Sequence, residues 1–402
     1  MTCKERILSN DYADGVVDFP LENLIDESSD ACYIALDDRY SVVYQNRSYT
    51  SDFLESVYQY RYVPHVYGLM SICNNACKHA PKMPFHNVGA RKTVLPELKI
   101  SQNGVVSQAP FDPSFLVESG IRQLQGPPLN LTGSGTIIAI IDTGIDYRNP
   151  AFLDEAGNSR ILAIWDQTEQ SGTPPEGYLY GSEYVREDIN RALQEEDPFS
   201  IVPTRDELLH GTVMAGIAAG SRLGGGTIYL GAAPQADIVI VKLKECKQYL
   251  RDYYFIPSDV PAYEETDIML GIKYADSFGV SFGRPVVICL GIGTNMGDHA
   301  GNSLLARYMN RIAEKRSRVM VVCGGNEGNA AHHYRGTFPR DANGSAQPQD
   351  VEIRVGEGDR GFFLEFWGEQ PDTFNVAVRS PGGVRAAKLP STLVWVIWTR
   401  TV

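Results

Sequence analysis

Three short stretches carry residues whose types and spacing could do hydrolytic chemistry. In "TIIAIIDTGIDY", Asp142 follows directly on an apolar run and precedes Thr143 and Gly144. An aspartate so placed can activate water beside a second aspartate, or it can orient a histidine that activates a hydroxyl. The first chemistry needs a second Asp-Thr/Ser-Gly on an apolar strand to share a proton, and the sequence holds no second copy. Taken alone, the same turn is equally an aspartate-capped loop with Gly144 at positive φ.

The second stretch, "LLHGTVMAGIAAG", places His210 at the start of an expected helix rich in Gly and Ala. Each glycine inside a helix costs up to about 1 kcal/mol relative to alanine, so close packing on a sheet must offset the composition. In the third, "VMVVCGGNEGN", Asn326 follows an apolar strand through Gly324 and Gly325. Its amide could donate to a developing oxyanion, or it could be a turn asparagine.

The elements that must position these residues are legible from periodicity. "TIIAII", "ADIVIVKL", "RPVVICL" and "SRVMVV" are continuous apolar runs, the pattern of strands buried on both faces of a parallel sheet. "HGTVMAGIAAG", "ETDIMLGIKYADSFG" and "NSLLARYMNRIAEKRS" read as the helices between them. The expectation is α/β: a doubly wound, mostly parallel sheet over residues 111–347, with function at the carboxyl ends of its strands. Residues 1–70 read as an α+β unit, with strands in "ACYIAL" and "YSVVYQ" and a helix in "SDFLESVYQYRY". Residues 71–110 lack periodicity and read as a linker or insertion, and residues 348–402 alternate as the start of an antiparallel β-domain.

The net charge of −13 argues against a nucleic-acid partner. The amino terminus has no signal-peptide pattern, and "LVWVIW" is too short to cross a bilayer. Seven irregularly placed cysteines do not make a secreted disulfide framework, which points to a cytoplasmic type of compartment and no membrane. Cys73, Cys77, His79 and His86 are close in sequence, but their spacing fits no standard zinc site. Cys323 is expected to be a small buried hydrophobe at a strand end, and His332 and His333 to be exposed loop residues.

Together, Asp142, His210 and Asn326, each in its strand or helix context, resemble the subtilisin-type serine peptidases, or subtilases. The resemblance implies a subtilisin-like fold, serine endopeptidase activity and a protein or peptide substrate. It makes Asp142 the orienting acid, His210 the general base and Asn326 the oxyanion donor. "GIGT" matches the family's substrate-binding edge strand, so Gly291, Ile292 and Gly293, with Gly324 and Gly325, are implied to bind substrate. Gly291 stands where the family usually has serine, which either widens the specificity pocket or removes one hydroxyl contact. No cofactor is implied. Some subtilases bind calcium, to which Asp146 and Asp166 could contribute, although nothing fixes a ligand set.

"SRILAIWDQTEQSGTPPEGYLYGSEY", "KQYLRDYYFIP", "ETDIMLGIKYA" and "GTNMGDHAGN" narrow the resemblance to the Csp-type peptidases of clostridia and related spore-forming Firmicutes. These imply an amino-terminal prodomain as partner, here residues 1–70, and a β-sandwich inserted before the nucleophile, here beginning near residue 348. They also imply a cytoplasmic or spore-associated setting. The best-known members process a cortex-lytic enzyme during germination, and some relatives are pseudoproteases that bind or sense.

The family's nucleophile lies in a Gly-Thr-Ser-x-Ala turn, and this sequence contains none. Ser345, in "NGSAQP", lacks the threonine and a following helix, and Ser134 and Ser380 lie in Gly/Pro turns. The expectation is either that the serine lies beyond Val402 in a longer peptidase or that the chain is a product ending prematurely, and in both cases that the chain is inactive by itself and that part of an apolar sheet face is uncovered.

Overall fold

The computed structural model describes residues 114–178, 180–222, 229–297, 299–301, 303–326, 330–354, 361–367 and 375–379, together with strands at 31–35, 41–45, 66–68 and 395–399. The segment read as a linker, the helix of "SDFLESVYQYRY", the cysteine–histidine cluster and Ser380 lie outside the described residues.

Three short strands come first. β1 (Ala31–Ala35) and β2 (Ser41–Gln45) pair antiparallel, and β3 (Val66–Gly68) joins an edge described below. Two short helices, α1 (Ser114–Glu118) and α2 (Ile121–Gln125), lead into the main sheet.

That sheet begins with β4 (Ile137–Asp142), β5 (Ile161–Asp166) and β6 (Ser182–Val185). Helices α3 (Arg186–Ala192) and α4 (His210–Ala219) follow, then the two-residue strands β7 (Ser221–Arg222) and β8 (Tyr229–Leu230), which pair with each other. Next come β9 (Asp237–Lys242), α5 (Gln248–Tyr253), β10 (Ala262–Glu264) and α6 (Glu265–Phe282). The unit closes with β11 (Val286–Leu290), α7 (Leu304–Glu314) and β12 (Arg318–Val322). The strand order is β12-β11-β4-β9-β5-β6, parallel throughout except for β6, which runs antiparallel to β5.

Every residue of β4 and β5 is buried, because the sheet is covered on both faces. Ile137, Ala139 and Ile141 pack with Ile268, Ile272 and Leu305 of α6 and α7. Ile138 and Ile140 point the other way, toward Ala215 and Ala219 of α4. The small residues of α4 let its backbone lie close to the sheet, which offsets their poor helix propensity. Acidic Glu265 and Asp267 occupy the first turn of α6, where they suit the positive end of the helix dipole. The Ser303 hydroxyl caps α7 by accepting from Ala306 N at 3.2 Å.

The four expected strands and three expected helices are all present in this sheet unit. β5, β6 and β10 were outside the expected set, although "ILAIW" in β5 has the same apolar continuity as its neighbours. Farther on, β13 (Gly361–Glu365) and β14 (Trp395–Thr399) pair antiparallel. No helix among the described residues is long and apolar enough to cross a membrane.

The edge strand β12 is uneven. Met320 packs toward α6 and α7, but Val319, Val321 and Val322 are 51 %, 44 % and 54 % exposed. Val287 and Cys289 of the neighbouring strand are only partly buried on the side of the sheet that carries α4. An apolar strip is therefore open beside that helix.

Candidate active site

The carboxyl ends of the parallel strands gather the candidate residues on one side of the sheet. Asp142 terminates β4 and is 1 % exposed. Its Oδ1 accepts from Thr143 N at 2.8 Å and faces His210 Nδ1 at 2.7 Å. An ionised carboxylate can only accept, so Nδ1 carries the proton and the neutral ring keeps its lone pair on Nε2. Burial of the imidazole opposes its charged form. The hydrogen bond and charge of Asp142, with the charge of Asp206 behind them, outweigh that and hold the histidine pKa above its ordinary value near 6.5.

His210 opens α4 immediately after Leu209, whose backbone is left-handed at φ 59°. A non-glycine residue there needs outside support. Asp206 supplies it, accepting from Leu209 N at 3.0 Å and from Thr212 N at 2.8 Å within the first turn. The same carboxylate accepts from the Thr212 hydroxyl at 2.7 Å, and that hydroxyl oxygen accepts in turn from Asp146 N at 2.9 Å. Two loops are thus tied through one buried acid. They also touch directly: a Cβ on Gly211 would stand 2.2 Å from Gly144 O, so only glycine permits the approach.

Asp206, Thr143 and Thr212 were not among the sequence candidates. The available signal was the acidic pair Asp206–Glu207 before "LLHGT" together with threonines following both the site aspartate and the site histidine.

Gly291 and Ile292 are buried just past β11, with Gly293 partly exposed after them. Cys323 N bonds Leu290 O at 3.3 Å, which carries the loop after β12 alongside. Gly324, Gly325 and Asn326 follow in that loop and are exposed. Because β4, β11 and β12 run parallel, these groups stand at the same carboxyl edge of the sheet as Asp142. Cys323 is exposed, a correction to its expected burial, because it continues the uncovered face of Val319 and Val321. Its neighbour Cys289 is buried enough for its thiol pKa to be pushed up to about 11. Ser134 and Ser345 are exposed in turns, with Ser345 N bonded to Asp341 Oδ1, and His332 and His333 are exposed as expected.

Beyond β9, the edge strand β10 pairs antiparallel with β3, with Tyr263 opposite Tyr67. Behind it lies a buried charge network. Lys247 pairs closely with Glu264, Lys244 lies 2.7 Å from Asp267 Oδ2, and the Tyr180 hydroxyl donates to Asp267 Oδ1 at 2.7 Å.

Asp146 is paired with Arg148 at 2.8 Å, and Asp166 accepts from Thr168 and Thr204 with Lys242 nearby. No group of three or more His, Cys, Asp or Glu side chains fit to hold a metal ion occurs among the described residues.

The sequence matches the subtilase family over residues 133–346. It is 28 % identical to thermitase of Thermoactinomyces vulgaris over 228 residues, 56 % of this chain and 61 % of that protein. The fold is similar to that of the CspB protease of Clostridium perfringens, with a TM-score of 0.56 and 32 % sequence identity. That match covers 68 % of this chain and 52 % of the other, so the chain spans between half and two thirds of each relative's length.

Proposed function

Because this chain belongs to the subtilase family, we propose that it carries the acid and base of a subtilisin-type serine endopeptidase of the Csp kind, acting on protein or peptide substrates. The observation that carries this reading is the 2.7 Å contact between buried Asp142 and His210 Nδ1 at the end of a parallel strand. Asp142 fixes the tautomer and orientation of the imidazole, and His210 accepts the nucleophile's proton at Nε2 and later delivers it to the leaving amine. Asn326 donates to the oxyanion, a contact worth about 2.7–4 kcal/mol in such enzymes. Gly291, Ile292 and Gly293 form one wall of the peptide cleft, and Gly324 and Gly325 form the other.

The 402-residue polypeptide contains no Gly-Thr-Ser-x-Ala turn. Triad members act as a unit, so the pair alone gives negligible peptide hydrolysis. The amino-terminal unit acts as a prodomain, a role supported by β3 lying in register along β10. The setting is cytoplasmic or spore-associated.

Two measurements test this. Extended peptides should shift the amide resonances of Ile292, Gly293 and Asn326, and no shift at millimolar peptide would count against a peptide cleft. A fluorophosphonate probe should leave the chain unlabelled, and labelling abolished by His210→Ala would overturn the predicted inactivity.

A second reading is a pseudoprotease that uses the same cleft to bind a partner or germinant. Peptide binding by a serine-lacking full-length protein would support it.

A further inference from the structure

We propose that Gly291 is a positioning residue for the Asp142–His210 pair, leaving the space in which the Asp142 carboxylate stands. This rests on the reading of those two residues as acid and base. It differs from both roles that the sequence suggested for the serine-to-glycine change, a wider substrate pocket or a lost hydroxyl contact.

A Cβ built on Gly291 would lie 2.4 Å from Asp142 Oδ2, inside the 3.0 Å below which something must shift. The same carbon would lie 3.2 Å from His210 Cε1 and 3.3 Å from Met214 Cε. A side chain at this position therefore points at the acid and the base.

The usual escape, rotation of the struck side chain, is closed. Asp142 Oδ1 is held by Thr143 N at 2.8 Å and His210 Nδ1 at 2.7 Å. Turning the carboxylate to clear Oδ2 swings Oδ1 out of both bonds. The two backbones are also restrained, because β4 and β11 are paired up to Ile141 and Leu290, the residues just before Asp142 and Gly291. Oδ2 is buried and has no hydrogen-bond partner among the described residues, so no bond draws it away from Gly291.

A double-mutant cycle between Gly291→Ala and Asp142→Ala tests the assignment through stability and histidine titration, with no peptidase assay. If the pair has no part in catalysis, this cycle still reads the contact, because chain stability and the His210 titration depend on neither peptide binding nor probe labelling.

In the wild-type chain Gly291→Ala should lower Tm by roughly 2–10 °C, the range expected for overpacking. It should also shift the His210 titration measured by NMR toward lower pH. In the Asp142→Ala background the same substitution should lower Tm by less than about 2 °C. Folding of the double variant where the single variant fails to fold supports the proposal as well. Equal losses in both backgrounds, failure to fold in both, or a folded Gly291→Ala chain with unchanged His210 titration overturns it. Gly291→Ser adds the same Cβ together with a hydroxyl that can donate to the unpartnered Asp142 Oδ2, so its loss of Tm should be no greater than that of Gly291→Ala.

Discussion

Thr143 Oγ1 donates a 2.7 Å hydrogen bond to Asp206 Oδ1, tying the residue after the site aspartate to the loop before the site histidine. Thr143 Oγ1 also accepts from Gly211 N at 2.9 Å, so one hydroxyl joins β4, that loop and α4. The spacing of acid and base is set by this joint as much as by their own contact.

Asp206→Ala removes the acceptor for Leu209 N, Thr212 N and two threonine hydroxyls. The expected loss is about 2–4 kcal/mol, because buried donors are left without partners. The His210 pKa should fall at the same time, since the Asp206 charge helps to raise it. Urea unfolding and NMR titration of His210 measure the two effects.

The raised His210 pKa fixes a sign for stability against pH. Protonated His210 is favoured in the folded state, so its contribution is fully present below its unfolded value near 6.5. The contribution is lost as pH rises through the higher folded pKa. Thermal midpoints across that window should decline more in the wild-type chain than in His210→Gln. General-base chemistry has the opposite sign, because the neutral ring becomes available only as pH rises through the same value.

Lys247→Met leaves Glu264 as a buried carboxylate that has lost its closest cation. Breaking one partner of such a pair costs about 3–5 kcal/mol. Adding Glu264→Leu should recover much of that loss. Denaturant midpoints of the single and double variants decide the matter, and an additive double variant would count against the pairing.

Val319→Thr and Val321→Thr act on the open strip of β12. Stability should change by no more than about 0.5 kcal/mol each, as at exposed positions. Self-association measured by sedimentation velocity should decrease. A loss of several kcal/mol would mean that the strip is covered.

The central sheet was legible because β4, β9, β11 and β12 are unbroken apolar runs, a pattern that two-sided burial explains in β4 and β9 and that β12 shares although one of its faces is open. The approach of Asp142 and His210 was legible only through family resemblance, since no periodicity spans the chain between them. Cys323 was misread because strand periodicity tells which face a side chain occupies, and not whether anything covers that face. Asp206 and the Lys247–Glu264 pair stayed hidden for a related reason. Thr143 reaches Asp206 and Lys247 reaches Glu264 from distant positions, and acids beside other acids, as in Asp206–Glu207 and Glu264–Glu265, read as solvated surface.

The backbone contact between Gly211 and Gly144 makes the Asp142–His210 hydrogen bond a reporter of assembly. Acid and base reach each other only once α4 has docked on the sheet, so the shared Nδ1 proton registers that event. Its resonance would appear in step with burial of Ala215 and Ala219. It would be the first signal to vanish if the helix lifted from the sheet while secondary structure stayed intact.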